Sequence, residues 1–224
     1  MTQTTMTEPM QAATQATRRW PLWGVAAGAT GAIATIFTTV ADGRKGIDES
    51  VLDDVSRSTY HLGGGLGVVS VVCLLVLAAC WRSGTQAYTS PGVRLVADCL
   101  VASAGALSLG YGWKLSMALY LPGGVNEGQF GKEGLFVYYV LNDFGPYLGW
   151  LPVVVASGAM AWVGFREGLV SRWLAAVSVL PPLVVLVMAI ALGIAGFPGI
   201  VGPIWLVVAF LGLTLGRHRL TGRR

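Results

Sequence analysis

The sequence predicts an all-α fold: a polytopic transmembrane helix bundle of about six spans, with N-in and C-in topology. Three observations predict it. Of 224 residues, 54% are hydrophobic and 12% charged, about half the charged share of a soluble domain. Mean hydropathy is +0.65. The apolar residues gather in long unbroken runs and do not alternate, so helices rather than barrel strands are the expected spanning form. The same composition excludes a disordered chain and an ordinary soluble enzyme of this size. Three cysteines are too few for a disulfide scaffold. No repeat of fixed period is visible, nor the inverted symmetry of many transporters.

A spanning helix needs roughly 20 mostly apolar residues. The first run goes from Trp20 to Val40, the second from Thr59 to Trp81, the third from Val93 to Leu121. The fourth, Leu135 to Phe165, carries Pro146 and Pro152. It is either one kinked helix or two segments, and Asn142-Asp143 ahead of Gly145-Pro146 marks the expected break. The fifth, Trp173 to Leu192, should kink at Pro181-Pro182. The sixth, Ile200 to Leu215, is the shortest. The organisation that follows is a disordered cytoplasmic tail over 1–19, a six-helix domain over 20–216 and a basic cytoplasmic tail over 217–224. Arg18-Arg19 ahead of the first run reads as a topogenic anchor, not as an export signal.

Basic residues set the orientation. With the N-terminus inside, Arg18, Arg19, Arg82, Arg94, Arg166, Arg172, Arg217, Arg219, Arg223 and Arg224 fall on the cytoplasmic side of the plasma membrane. Arg44, Lys45, Arg57 and Lys132 fall outside. The first outer loop, Ala41 to Arg57, is acidic, and Glu49 to Ser58 reads as a short surface helix. A solvated loop is its plain reading and a cation-attracting vestibule the sharper one. The net charge of +4 follows topology, so no nucleic-acid partner is expected and the basic tail is assigned to lipid headgroups.

Ionisable residues at membrane depth are costly and mark candidate sites. Counting about 1.5 Å per residue from each inner arginine, Lys114 lies roughly 30 Å along the third helix and Asp143 roughly 34 Å along the fourth. His61 and Asp42 reach the same outer level on the second and first helices. Tyr60, Tyr111, Trp113, Tyr120, Phe136, Tyr138, Tyr139, Asn142, Phe144, Tyr147 and Trp150 crowd that level. One reading is an aromatic belt with snorkelling charges. The other is an outward-facing pocket with His61, Lys114, Asn142, Asp143, Trp113, Tyr139, Tyr147 and Trp150 as ligand-binding residues and a Lys114–Asp143 pair at its base. Asp98 stands apart. Its spacing suits a salt bridge to Arg94 one turn away, or a proton-transfer role in an inner cavity.

Ala102, Ala106 and Gly110 form a small-residue ridge between Asp98 and Lys114, suited to close helix packing. Gly24, Gly28 and the glycines from Gly63 to Gly67 suit it too. Cys73, Cys80 and Cys99 read as packing residues. No nucleotide loop, metalloprotease motif, nucleophile elbow, haem ligand pair or aspartate-rich diphosphate motif is present, so no cofactor and no metal are expected.

Gly168-Leu169-Val170-Ser171-Arg172-Trp173-Leu174, followed by Pro198-Gly199-Ile200-Val201-Gly202-Pro203-Ile204-Trp205, resembles the closing third of uncharacterised actinobacterial polytopic proteins. That resemblance implies a small six-helix membrane domain and carries no active-site residue. Three readings of function stay open. The first binds or translocates a small polar or zwitterionic solute or ion through the outer cavity. The second is an enzyme on a lipid or isoprenoid, similar in size to small membrane terpene cyclases, with Asp143 or Asp98 as the acid. The third is a non-catalytic accessory or sensor subunit. Homo-oligomerisation or a membrane partner is compatible with each.

Overall fold

A computed structural model of the chain describes residues 19–38 and 48–216, the side chain of Asp143 excepted. The expected terminal tails, Asp42, Arg44 and Lys45 lie outside the described residues. Those described are helical, with no strand among them. In chain order the helices are α1 (Leu22–Ala32), α2 (Arg57–Gly84), α3 (Pro91–Tyr120), α4 (Lys132–Gly149), α5 (Leu151–Glu167), α6 (Arg172–Leu192) and α7 (Pro198–Leu215). A π-helical turn, Ile33–Phe37, continues α1, and a short 3-10 helix, Glu49–Asp54, precedes α2. With α4 and α5 taken as one run, five helices are long and apolar enough to cross a membrane, and Leu22–Phe37 is a shorter sixth.

The helix ends follow from the sequence. Ser56 caps α2 by accepting from the Thr59 amide, and Ser90 caps α3 ahead of Pro91 by accepting from the Gly92 and Val93 amides. Gly168 and Gly193 end α5 and α6 in the left-handed conformation that glycine adopts without strain.

The central pair is α2 against α3. Along α2 the buried residues include Tyr60, Gly63, Gly67, Ser70, Leu74, Leu77 and Trp81. Along α3 they include Val93, Val96, Leu100, Ser103, Leu107, Gly110, Lys114 and Met117. Both sets step by alternating threes and fours, the seam of a left-handed helix pair. Antiparallel packing then sets Trp81 at one end, donating from Nε1 to the Val93 carbonyl at 2.8 Å. At the other end it sets Gly63 against Lys114. α3 also packs on α4 and α5, α1 packs on α2 and α7, and α6 touches only α5 and α7 substantially. Most of α6 therefore faces outward, with Leu180, Leu183, Leu186, Val187 and Ile190 exposed. Outward apolar faces of this kind fit contact with lipid.

Several expectations change. The fourth run divides at Trp150, which caps both α4 and α5. Pro146 sits inside continuous helix, while Pro152 occupies the first turn of α5. A proline in a first turn lacks only an amide that would have no helical partner, so the new helix starts there at little cost. The segment Glu49 to Ser58 is not one helix: it turns through Glu49–Asp54, extends at Val55 and Ser56, and restarts as α2. Val51 and Leu52 are buried with Tyr60, Met117, Ala118, Leu121, Leu135 and Tyr139 in a small second core. The ridge of Ala102, Ala106 and Gly110 is not one packing face. Ala102 and Ala106 point outward, and Gly110 alone is buried, against the Gly145–Pro146 backbone. Gly24 and Gly28 do pack closely, against Phe210 and Pro203 of α7. Cys73 and Cys99 are buried and all three cysteines are free thiols.

Candidate functional site

The two seams bring a lysine into the bundle. Lys114 is fully buried. Its Nζ donates to the Ala34 carbonyl and to Thr38 Oγ1, each at 2.7 Å. Thr38 Oγ1 in turn donates to Ala34 O at 2.6 Å. The Ala34 carbonyl belongs to the π-helical turn, a local widening that often accompanies functional sites. The ammonium also lies over the Tyr60 ring, 5.4 Å from its centroid, within cation–π range.

Glycine makes the room. A methyl group on Gly63 would sit 2.2 Å from Thr38 Oγ1 and 3.1 Å from Lys114 Cε. One on Gly67 would sit 2.1 Å from the Tyr111 ring. Without side chains at these two places, α2 lets a lysine and a tyrosine from α3 cross the seam and reach α1.

Asn142 of α4 closes the other side. It is buried, and its Nδ2 donates to Tyr60 Oη at 3.4 Å. Its Oδ1 is buried with no hydrogen-bond partner among the described residues. A buried amide oxygen left without a donor is costly, and such groups are uncommon in native interiors. Tyr60 thus joins the buried ammonium to an amide with unused capacity. A surface hollow of about 540 Å³, lined by Asp48, Glu49, Ser50 and Phe136, lies at the same end of the bundle.

One turn deeper is a second polar cluster. Thr35 Oγ1 and Tyr111 Oη are 2.7 Å apart, and Trp150 Nε1 donates to Thr35 Oγ1 at 3.2 Å. All three side chains are fully buried. These bonds tie α1, α3 and the α4–α5 junction together at one depth.

The sequence-predicted residues therefore separate. Lys114 and Asn142 each contact Tyr60. Tyr139 is buried nearby, stacked on Phe136 with centroids 6.3 Å apart. Trp113 covers Gly145 on the α3–α4 contact. Trp150 belongs to the deeper cluster and Tyr147 packs against Gly199 of α7. His61 faces outward on α2, because the buried stripe passes through its neighbour Tyr60. Asp143 lies on α4, and the expected Lys114–Asp143 pair falls outside the described residues. Asp98 does not pair with Arg94. Its carboxylate meets Arg82 of α2 at 2.9 Å, because the tight α2–α3 hairpin sets the last turn of one helix beside the first turns of the other. Asp98 and Lys114 are also about four and a half turns apart, on opposite faces of α3.

Thr38, Tyr60 and the Ala34 carbonyl are the site groups that sequence reading missed. Tyr60 was legible: it shares the step of three and four with Gly63, Gly67 and Ser70, whereas His61 does not. The carbonyl left no sequence signal. Comparison with protein-family models, curated proteins and solved structures finds no match to this chain. The apolar helical bundle fits an integral membrane protein.

Proposed function

We propose that this membrane protein binds, and passes across the bilayer, a small polar or zwitterionic solute or ion at the centre built on Lys114. One observation carries the reading. A fully buried lysine occupies a seam position where packing alone would favour a small or aliphatic residue, and across Tyr60 from it Asn142 Oδ1 has no donor among the described residues. A buried charge held by the Ala34 carbonyl and the Thr38 hydroxyl adds little stability over an apolar replacement. Its retention in a glycine-cleared seam fits recognition. Asn142 Oδ1 would accept from a donor on the solute, and the rings of Tyr60 and Tyr139 would face its apolar part. The skew of arginines toward the α2–α3 hairpin supports placing this centre in the outer half of a plasma-membrane bundle.

The enzyme reading gains no comparable support. Asp98 sits in an exposed ion pair near the hairpin, and α4 meets α3 at Gly110, roughly 18 Å further along.

The test is native mass spectrometry of the protein in native lipid particles. Wild type should carry a discrete small-molecule mass that Lys114→Met and Asn142→Leu both lose while keeping their helical content. A mass retained in both variants, or absent from all three while radiolabelled-solute uptake is unchanged by them, overturns the proposal.

A further inference from the structure

The opposite end of the bundle carries a second site. A cavity of about 300 Å³ opens between the last turn of α2 and the first turns of α3, with Arg82, Gln86, Tyr88 and Arg94 in its lining. Asp98 holds Arg82 at 2.9 Å, which fixes one guanidinium at the wall. Arg94 is exposed in the first turn of α3. Among the described lining residues, two guanidiniums against one carboxylate leave one net positive charge, complementary to a phosphodiester.

Its level in the bilayer is marked independently. Trp23, Trp162 and Trp173 lie near the same ends of α1, α5 and α6 and are exposed by 43%, 57% and 49%. Outward tryptophans near the same ends of three helices fit the belt found at headgroup depth. Arg166 lies over the Trp162 ring, 5.2 Å from its centroid, as a snorkelling arginine does. From the cavity, the outward face of α3 on the Asp98 side continues through Val101, Gly105 and Leu109. Space beside Gly105 is open. That face offers a shallow apolar track leading away from the charged cavity toward the bilayer centre.

We infer that this cavity is a specific site for an anionic glycerophospholipid, with Arg94 and Arg82 on its phosphate and an acyl chain along the bare face of α3. Gln86 offers donors to the glycerol and ester oxygens. Basic pockets between membrane helices bind anionic headgroups by the same chemistry.

The test is lipid retention by the purified full chain in detergent, read by native mass spectrometry against an equal mixture of phosphatidylglycerol and phosphatidylcholine. Wild type should keep one phosphatidylglycerol in preference. Arg94→Gln should lower that retention about five-fold, the effect of one basic residue at a headgroup. Arg172→Gln, an exposed arginine at the same end outside the cavity, should leave it unchanged. Inorganic phosphate should not displace the lipid. Equal retention in wild type and Arg94→Gln, equal loss in Arg172→Gln, or no preference for phosphatidylglycerol overturns the inference. Displacement by inorganic phosphate overturns it too, by making the cavity a free-phosphate site.

Discussion

Asn142 is the residue whose substitution separates stability from function most cleanly. Its Oδ1 is buried without a donor among the described residues, so a similarly sized apolar side chain removes an unsatisfied group. Asn142→Leu should melt at or above the wild-type temperature in a thermal-shift assay while losing the bound solute. A lowered melting temperature would mean that the amide serves packing. Gly63 behaves oppositely. A methyl there collides with Thr38 and crowds the Lys114 stem, so Gly63→Ala should destabilise by about 1–3 kcal/mol, measured by unfolding in mixed micelles. Gly65, on the outward face of the same helix, has open space around it, and Gly65→Ala should not reproduce the loss. The residue scale was partly legible. Lys114 and Asn142 stand out as polar groups in apolar runs, and both touch Tyr60. His61 stands out equally, yet one step of 100° along α2 turns it away from the seam.

At the scale of elements, the seams explain which face of each helix is buried. α2 and α3 alternate steps of three and four over most of their lengths, and Lys114 falls on a seam step. Elsewhere single bonds lock helices together. Ser178 Oγ donates to the Leu174 carbonyl at 2.7 Å and accepts from Trp205 Nε1 at 3.0 Å, joining α6 to α7. Ser178→Ala strands a buried indole N–H and should cost about 1–3 kcal/mol in the same unfolding assay. An unchanged midpoint would show that this contact does not hold α6 in place. The division of the fourth run was only half legible. Pro146 and Pro152 both announce trouble for a helix, but a proline ends one helix or opens the next according to which amides its surroundings satisfy. Here Trp150, pinned by Thr35, sets the junction one residue before α5 and two before Pro152.

At the scale of the whole molecule, charge is unevenly shared between the ends. Among the described residues, Arg19, Arg82, Arg94, Arg166 and Arg172 gather at the hairpin end with the tryptophan belt, while Asp48, Glu49, Asp53, Asp54, Glu127 and Glu133 gather at the other. The acidic end is tied down by Lys132, which meets Asp53 at 2.9 Å, and by Arg57 Nε, which donates to the Ala118 carbonyl at 3.2 Å near the end of α3. The basic skew predicts that the acidic end faces outward. In a background with Cys73, Cys80 and Cys99 replaced by alanine, a cysteine at Glu127 should react with a membrane-impermeant maleimide in intact cells. One at Arg172 should react only after lysis. The reverse pattern would invert the orientation and move the Lys114 centre to the inner half.

Composition and run length by themselves determined the class and the helical runs, because lipid leaves the backbone few options and those options depend on sums over about 20 residues. Such sums tolerate error at any one position. The tertiary structure decided the pairings. It gave Asp98 to Arg82 instead of Arg94, turned Ala102 and Ala106 outward, and placed the Ala34 carbonyl and Thr38 hydroxyl on the Lys114 ammonium. Each of those depends on the rotation and depth of one helix against another. A rotation of one residue costs little in burial within an apolar surrounding, so the steric fit of Gly63 and Gly67 against their neighbours, with the buried hydrogen bonds, selects it.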